Sequence, residues 1–505
     1  MLTRLAAFLA GAAMVFAFAP FEAAPLTFAS LAFLFWLWQR APTARAAAGI
    51  GFAFGLGLFG VGVTWVYIAL ETFGGMPMPV AIVAALGFAA YLSLWPALAG
   101  WAVVRATTPD SAARLVAAAA AWTLAEWLRG YVFTGFPWLA AGYAGLPARG
   151  MLPLAGFAPV GGVFLASLAV ALCAAALAGI ADALAAARPR RLAACALGIA
   201  VLVATGAVLT RVEWTQPKGE PLAVSLVQGN VSQAQKFDPA FRPRNYELHD
   251  ELARMSHGRL IVLPESAYPQ FADEIPSSVF LRHAALGRER NGDVLIGLFT
   301  SEPPGPGDDG ERIYNSVVSV GSAPPQLYRK HHLVPFGESI PLKTVTGWFI
   351  NRVLAIPLAD QAAGAAVQAP FAVAGQAVAV NICYEDVFGA ELIPSARAAT
   401  LLVNVTNDAW YGRSIAARQH NQISAMRALE TSRPMLRATN TGITSAIAHD
   451  GRVLAELPWF TSGILEIDIA GRTGDTPYLI VGDVPVLVLS ALLLAGALLS
   501  ARRRA

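Results

Sequence analysis

The sequence predicts a multi-span α-helical membrane part carrying an α/β domain with helices packed on sheets, and three observations predict it. Of 505 residues, 56% are hydrophobic and only 14% charged, and the mean hydropathy of +0.53 lies above that of soluble chains of ordinary composition. The apolar residues are unevenly spread. Residues 1–211 are nearly all Ala, Leu, Val, Gly and Phe, residues 212–476 have ordinary polar content, and residues 477–505 turn apolar again before a basic tail. Inside the middle segment, short apolar runs alternate with stretches of helical spacing, the pattern of strands interleaved with helices.

Each element can be justified in order. Apolar stretches long enough to span a bilayer run over Leu5–Phe21, Ala46–Ala69, Val80–Val104, Leu115–Leu128, Gly161–Ala186, Leu192–Leu209 and Val484–Ser500. Ala23–Trp38 is short for a span, but counting it places Arg4, Arg40, Arg45, Arg105, Arg114, Arg188, Arg190, Arg191 and Arg502 to Arg504 on one side, which the positive-inside rule makes cytoplasmic. The expected organisation is therefore an N-terminal transmembrane domain over 1–211 with about seven spans, an extracytoplasmic domain over 212–476, and a C-terminal transmembrane helix with a basic cytoplasmic tail over 477–505. Arg4 before an apolar core and Ala17-Phe18-Ala19 also fit a cleaved signal peptide; the downstream orientation is the same either way. With a net charge of +3 and arginines confined to short loops, nothing points to nucleic acid. Gly55-Leu56-Gly57-Leu58-Phe59-Gly60 has dinucleotide-site spacing but lies mid-span with no strand before it, so close helix packing is the expectation. Glu126 and Arg129 are spaced for a helical ion pair.

In the middle domain, Leu222–Val227, Leu260–Leu263, Val294–Phe299, Val378–Ile382 and Leu401–Val405 read as buried strands. Leu248, Leu252 and Met255 repeat at helical spacing, as do Ile423, Met426 and Leu429 before Pro434. Three reactive side chains fall just past strand ends: Glu265, Lys330 and Cys383. Of the three cysteines, Cys173 and Cys195 lie in spans, where a thiol is a small hydrophobe. Cys383 is the only one in a domain assigned to an oxidising compartment, so it has no disulfide partner there; a buried inert thiol is the alternative to a chemical role.

The runs Leu263-Pro264-Glu265-Ser266, Tyr328-Arg329-Lys330 through Glu338, and Asn381-Ile382-Cys383-Tyr384-Glu385-Asp386 resemble the Glu-Lys-Cys site of the nitrilase (carbon-nitrogen hydrolase) superfamily. Leu333-Val334-Pro335-Phe336-Gly337-Glu338, Asn407-Asp408-Ala409-Trp410-Tyr411-Gly412, Met426-Arg427-Ala428-Leu429-Glu430 and the order of parts are similar to its apolipoprotein N-acyltransferase branch. The resemblance implies an αββα nitrilase-like sandwich, Cys383 as nucleophile, Glu265 as general base and Lys330 as charge stabiliser. It implies that Glu338 positions Lys330 or the thiol, and that no cofactor is needed. It further implies a membrane phospholipid as acyl donor, a diacylated apolipoprotein as acceptor, and a bacterial inner membrane with the catalytic domain facing the periplasm. Phe237 stands where the family often carries Trp, which implies adjusted packing near the substrate.

The chemistry can also be argued from the residues. A thiol of reference pKa about 8.5 beside a carboxylate of about 4.3 does not hand over its proton in water, so the site has to be buried. Lys330 and the backbone N–H of Tyr384 could hold a tetrahedral oxyanion. Glu385 is a candidate to orient the others, with a plain loop anchor as the alternative for both Glu338 and Glu385. His331 and His332 are adjacent without a second ligand cluster, poor support for a metal. Phe136, Trp138 and Tyr143 could line a lipid entrance or form an interfacial aromatic belt; Phe237 and Trp410 are substrate-contact candidates. Trp348-Phe349-Ile350 with Val353, Leu354 and Ile356 could be a membrane-touching lid or a buried helix. Two competing readings are a membrane-tethered nitrilase-type amidase, which would let water resolve the intermediate, and a transporter or scaffold carrying a dead domain.

Overall fold

A computed structural model describes residues 1–147, 150–305, 310–339 and 360–502; the lid candidates between Trp348 and Ile356, and Arg503 and Arg504, lie outside them. The chain divides into two compact units. One comprises Met1–Val66, Pro79–Glu213 and Thr476–Ala505; the other comprises Trp214–Asp475 together with Tyr67–Met78.

The first unit is helical. Among the described residues, five helices are long and apolar enough to cross a membrane: Ala44–Gly62, Met78–Ala106, Pro153–Ala185, Pro189–Leu209 and Val484–Ala501. Leu2–Ala17 and Pro25–Gln39 are apolar but shorter. The stretch expected over Leu115–Leu128 is the helix Ala112–Arg129, which buries Arg114, Glu126 and Arg129. Each of these side chains finds partners inside the helical unit. Arg114 donates to Thr107 and to the carbonyl of Gln39, Glu126 accepts from Trp122 Nε1 and the N–H of Ala141, and Arg129 donates to the carbonyls of Phe136 and Trp138. The glycine-rich run on Ala44–Gly62 does pack closely: a Cβ on Gly55 would come within 2.7 Å of Ser93 Cα, and one on Gly57 within 2.0 Å of the Phe8 carbonyl. Small residues here let helix backbones touch.

Among the described residues, the second unit holds two six-stranded sheets. The strands are β1 (Gln216–Gln228), β2 (Leu260–Val262), β3 (Asp293–Glu302), β4 (Arg312–Gly321), β5 (Gln326–Arg329), β6 (Phe371–Val373), β7 (Gln376–Ile382), β8 (Leu401–Thr406), β9 (Met435–Thr439), β10 (Ser445–Ile447), β11 (Val453–Glu456) and β12 (Gly463–Thr473). One sheet has the order β12-β1-β2-β3-β4-β5 and the other β11-β10-β9-β8-β7-β6. Both have a parallel centre, β1-β2-β3 and β7-β8-β9, flanked by antiparallel strands. Side chains alternate across each strand. Val224, Leu226, Leu260, Val262 and Leu295 meet Val378, Val380, Ile382, Leu401, Val403 and Val405 in one core between the sheets. Ile261, Leu263, Val294 and Ile296 point the other way into a second core that includes Leu252 of helix Arg242–Met255 and Val279 of helix Ser277–Glu289. Helices Gly389–Ala398 and Ala416–Thr431 serve the second sheet, completing an αββα sandwich. The latter helix is buried on every face, not only on the apolar stripe of Ile423, Met426 and Leu429, because its polar side chains also find partners inside.

Candidate active site

Three strand ends carry the reactive groups. The turn after β2 presents Glu265, β5 leads directly into Lys330, and β7 leads directly into Cys383; all three are at least 93% buried, with relative exposures of 7%, 1% and 6%. Cys383 adopts a left-handed φ of 54° and Ser266, next to Glu265, a φ of 45°, conformations that non-glycine residues hold only where surrounding contacts dictate them. For Cys383 those contacts are visible. Asn404 donates to its carbonyl at 3.0 Å, and the carboxylate of Glu385, two residues on, reaches back to the Ile382 N–H at 2.6 Å. At the Glu265 turn, Gly297 of β3 makes room, since a Cβ there would sit 2.4 Å from the Pro264 carbonyl and 2.9 Å from Glu265 Cα.

The carboxylates fall into distinct settings. Glu265 Oε1 accepts from Asn315 Nδ2 at 2.7 Å. Glu338 accepts from Lys330 Nζ at 2.7 Å and from the Val334 N–H at 2.9 Å, so one side chain fixes both the ammonium and its loop. Glu385 ties the Lys330 and Cys383 loops together: it accepts from Tyr328 Oη at 2.9 Å and from the N–H groups of His331 at 2.7 Å and His332 at 3.2 Å, besides Ile382. Burial is the largest influence on Glu385 and raises its pKa, with these donors opposing. Burial likewise pushes the Cys383 thiol up, Glu265 adds to the shift and Lys330 opposes it; the resting sulfur is a thiol whose proton needs a base. For Lys330 burial is the largest single influence and pulls its ammonium down, but Glu338, Cys383 and Glu265 together outweigh it and hold the pKa above the ordinary lysine range.

The other candidates separate. Tyr384 is buried edge-on against Phe388, Phe237 is half-buried, and half-buried Trp410 meets Phe73 edge-on at 6.0 Å. Phe136 and Trp138 belong to the other unit, where they stack at 5.8 Å and both contact Trp65. Trp138 and Tyr143 are fully buried, and of these three aromatics Phe136 keeps some exposure. His331 Nδ1 lies 2.8 Å from the Gly364 carbonyl, and His332 pairs with Glu391 and stacks on Phe388. No group of three or more His, Cys, Asp or Glu side chains suited to a metal occurs among the described residues.

Sequence comparison places this arrangement. Residues 10–176 match the apolipoprotein N-acyltransferase N-terminal domain and residues 194–478 the carbon-nitrogen hydrolase domain. An apolipoprotein N-acyltransferase of Nitrosomonas europaea is 48% identical over 503 residues, covering 99% of this chain and 98% of that one. The chain belongs to the apolipoprotein N-acyltransferase family. Proteins of the same name from Bordetella bronchiseptica, 40% identical over 98% of this chain and 96% of that one, and Chromobacterium violaceum, 42% identical over 99% and 94%, agree. As an apolipoprotein N-acyltransferase family member the chain is an enzyme, and its five long apolar helices fit a membrane protein.

Sequence reading missed three residues of this site. Asn315, on Glu265, interrupts the apolar run of β4, and a polar residue within a buried strand was the available signal. Tyr328 lies inside the Lys330 motif. Lys236, whose Nζ donates to the main-chain carbonyl of Glu265 at 2.8 Å, carries no signal in sequence, since a lysine in a polar loop is ordinarily solvated.

Proposed function

We propose that this chain is a phospholipid:apolipoprotein N-acyltransferase working by a two-step, ping-pong route through a Cys383 thioester. The observation that carries the reading is a buried carboxylate, ammonium and thiol, each just past a strand end, in a chain that is similar along 99% of its length to a protein named apolipoprotein N-acyltransferase. In the first step Glu265 takes the Sγ proton and the sulfur attacks an ester carbonyl carbon of a membrane phospholipid. Lys330, with the backbone N–H of Tyr384, neutralises the oxyanion, and the intermediate collapses by breaking the C–O bond. Glu265 returns the proton to the departing lysophospholipid. In the second step the α-amino group of an S-diacylglyceryl-cysteine attacks the thioester, Glu265 accepts a proton from the amine, and the C–S bond breaks to leave an amide and regenerate the thiol. Glu338 and Glu385 position Lys330 and the cysteine turn, and Phe237 and Trp410 contact acyl chain or acceptor.

The same reading assigns 1–211 as the N-terminal transmembrane domain, 212–476 as the catalytic domain facing the periplasm, and 477–505 as the C-terminal helix and cytoplasmic tail, in a bacterial inner membrane. Five apolar helices support a donor that lies in the bilayer, since hydrolysis of a soluble amide needs no such investment. Purified protein in detergent, given phospholipid and a synthetic diacylated lipopeptide, is expected to yield triacylated peptide and lysophospholipid in equal amounts. Lysophospholipid with free fatty acid and unmodified peptide would instead identify a hydrolase.

A further inference from the structure

Lys236 is a buried ammonium that the mechanism above does not use. It is 4% exposed and closes the short helix Gln233–Lys236, whose loop is bolted to the far side of the site. The Asn230 N–H donates to the Asn440 carbonyl at 2.8 Å, and the Asn440 side chain bonds both the N–H and the carbonyl of Val231, at 2.9 and 2.8 Å. Asn407 Nδ2 donates to Gln233 Oε1 at 2.8 Å. A lysine held this way is part of a built site, because ordering and drying a long charged side chain is costly unless something at the site uses it. Among the described residues, Nζ spends one N–H bond, on the Glu265 carbonyl, and an ammonium has three.

The charges nearby give it a partner. Lys330, the other buried ammonium, is already engaged by Glu338. The groups that act on or respond to Lys236 are Glu265, Cys383 and His249. His249 is held neutral, at a pKa of about 4, chiefly by burial, so it brings no competing charge. We propose that Lys236 is a second cationic residue of the catalytic site, which stabilises the Cys383 thiolate through its charge while holding the Glu265 turn in place. This rests on the reading of Cys383 as nucleophile. Burial, the largest influence, lowers Lys236 to about 8, so it is charged at neutral pH and loses its proton just above.

The test is the pH dependence of Cys383 alkylation by iodoacetamide in full-length detergent-solubilised protein, with peptide mapping to separate Cys173 and Cys195. The thiolate displaces iodide, so the rate reports thiolate without any lipid substrate. Lys236→Met is expected to slow alkylation about tenfold near pH 7, as one unit of thiol pKa requires, whereas Lys236→Arg should stay within about threefold of wild type. A Lys236→Met protein alkylated as fast as wild type across the range overturns the proposal and leaves Lys236 a strut. Should Lys236→Met fail to fold, Lys236→Arg decides: it remains charged above about pH 8, where Lys236 does not, and must be more reactive than wild type there; coincident profiles overturn the proposal. Failure of the nucleophile reading is separate, and would show as wild-type protein that never carries an acyl group on Cys383.

Discussion

At the scale of single residues, the site depends on a proton that burial makes hard to remove. Cys383→Ala should abolish transfer, while Cys173→Ala and Cys195→Ala, both in the helical unit, should retain it; an active Cys383→Ala enzyme in the lipopeptide assay would refute the nucleophile. Glu265→Gln keeps the shape of the side chain but removes the base, and an acylation rate about 10²–10⁴-fold lower is expected, with phospholipid binding unchanged, as single-turnover measurements can resolve. The placement of Glu265, Lys330 and Cys383 just past strand ends was legible in sequence because strand ends in α/β domains are read from apolar runs followed by polar residues. Lys236 and Asn315 were not. Their partners come from distant parts of the chain, and neither the Glu265 carbonyl nor its carboxylate announces in sequence which side chain it meets.

At the scale of elements, Glu385 is the knot between the loops after β5 and β7. Glu385→Ala strands the N–H groups of Ile382, His331 and His332 and the Tyr328 hydroxyl, at a cost of about 1–3 kcal/mol for each buried donor left without a partner. Tyr328→Phe removes one donor while the carboxylate keeps three, so about 1 kcal/mol is expected. Thermal unfolding of the two variants checks the order, and equal losses would mean that Glu385 is not the junction described. The strands β1, β2, β3, β7 and β8 could be placed from apolar runs alone. The strands β4, β9 and β10 could not, because Asn315, Arg437 and Ser445 are polar residues that the fold buries with partners, and such partners are invisible along the chain. Helix Ala112–Arg129 shows the converse: its apolar stretch reads as a span, yet Arg114 is met by Gln39, 75 positions away, and Glu126 by Ala141, 15 positions on.

At the scale of the whole molecule, the second unit rests on a dry ionic layer behind the cysteine turn. His420 lies between Asp386 and Asp408, at 2.8 and 2.9 Å. Arg437 donates to Asp408 at 2.9 Å and to Ser424 at 2.8 Å. All are at most 1% exposed. Burial, the largest influence, and Arg437 push His420 down, but Asp386 and Asp408 outweigh them and its pKa is raised. Burial pushes both carboxylates up, yet His420 and Arg437 leave them lowered. The signs fix the pH window. The histidine contribution is complete below its ordinary value of 6.5 and is lost as pH rises through the raised folded value. The aspartate contribution is present above 3.8 and is lost as pH falls through the depressed folded values. His420→Gln should therefore cost about 3–5 kcal/mol near pH 6, and its deficit against wild type should shrink as pH rises. A deficit that grows with pH would contradict the assignment of a charged His420.

The central claim is that acyl groups pass through Cys383. Intact-mass spectrometry of the purified protein, incubated with phospholipid and no acceptor and then with a diacylated lipopeptide, addresses it directly. The account predicts one fatty-acyl increment, mapped to Cys383, that vanishes as the peptide gains the same group. An increment that decays equally fast without peptide, or transfer to peptide with Cys383 unmodified throughout, would contradict it.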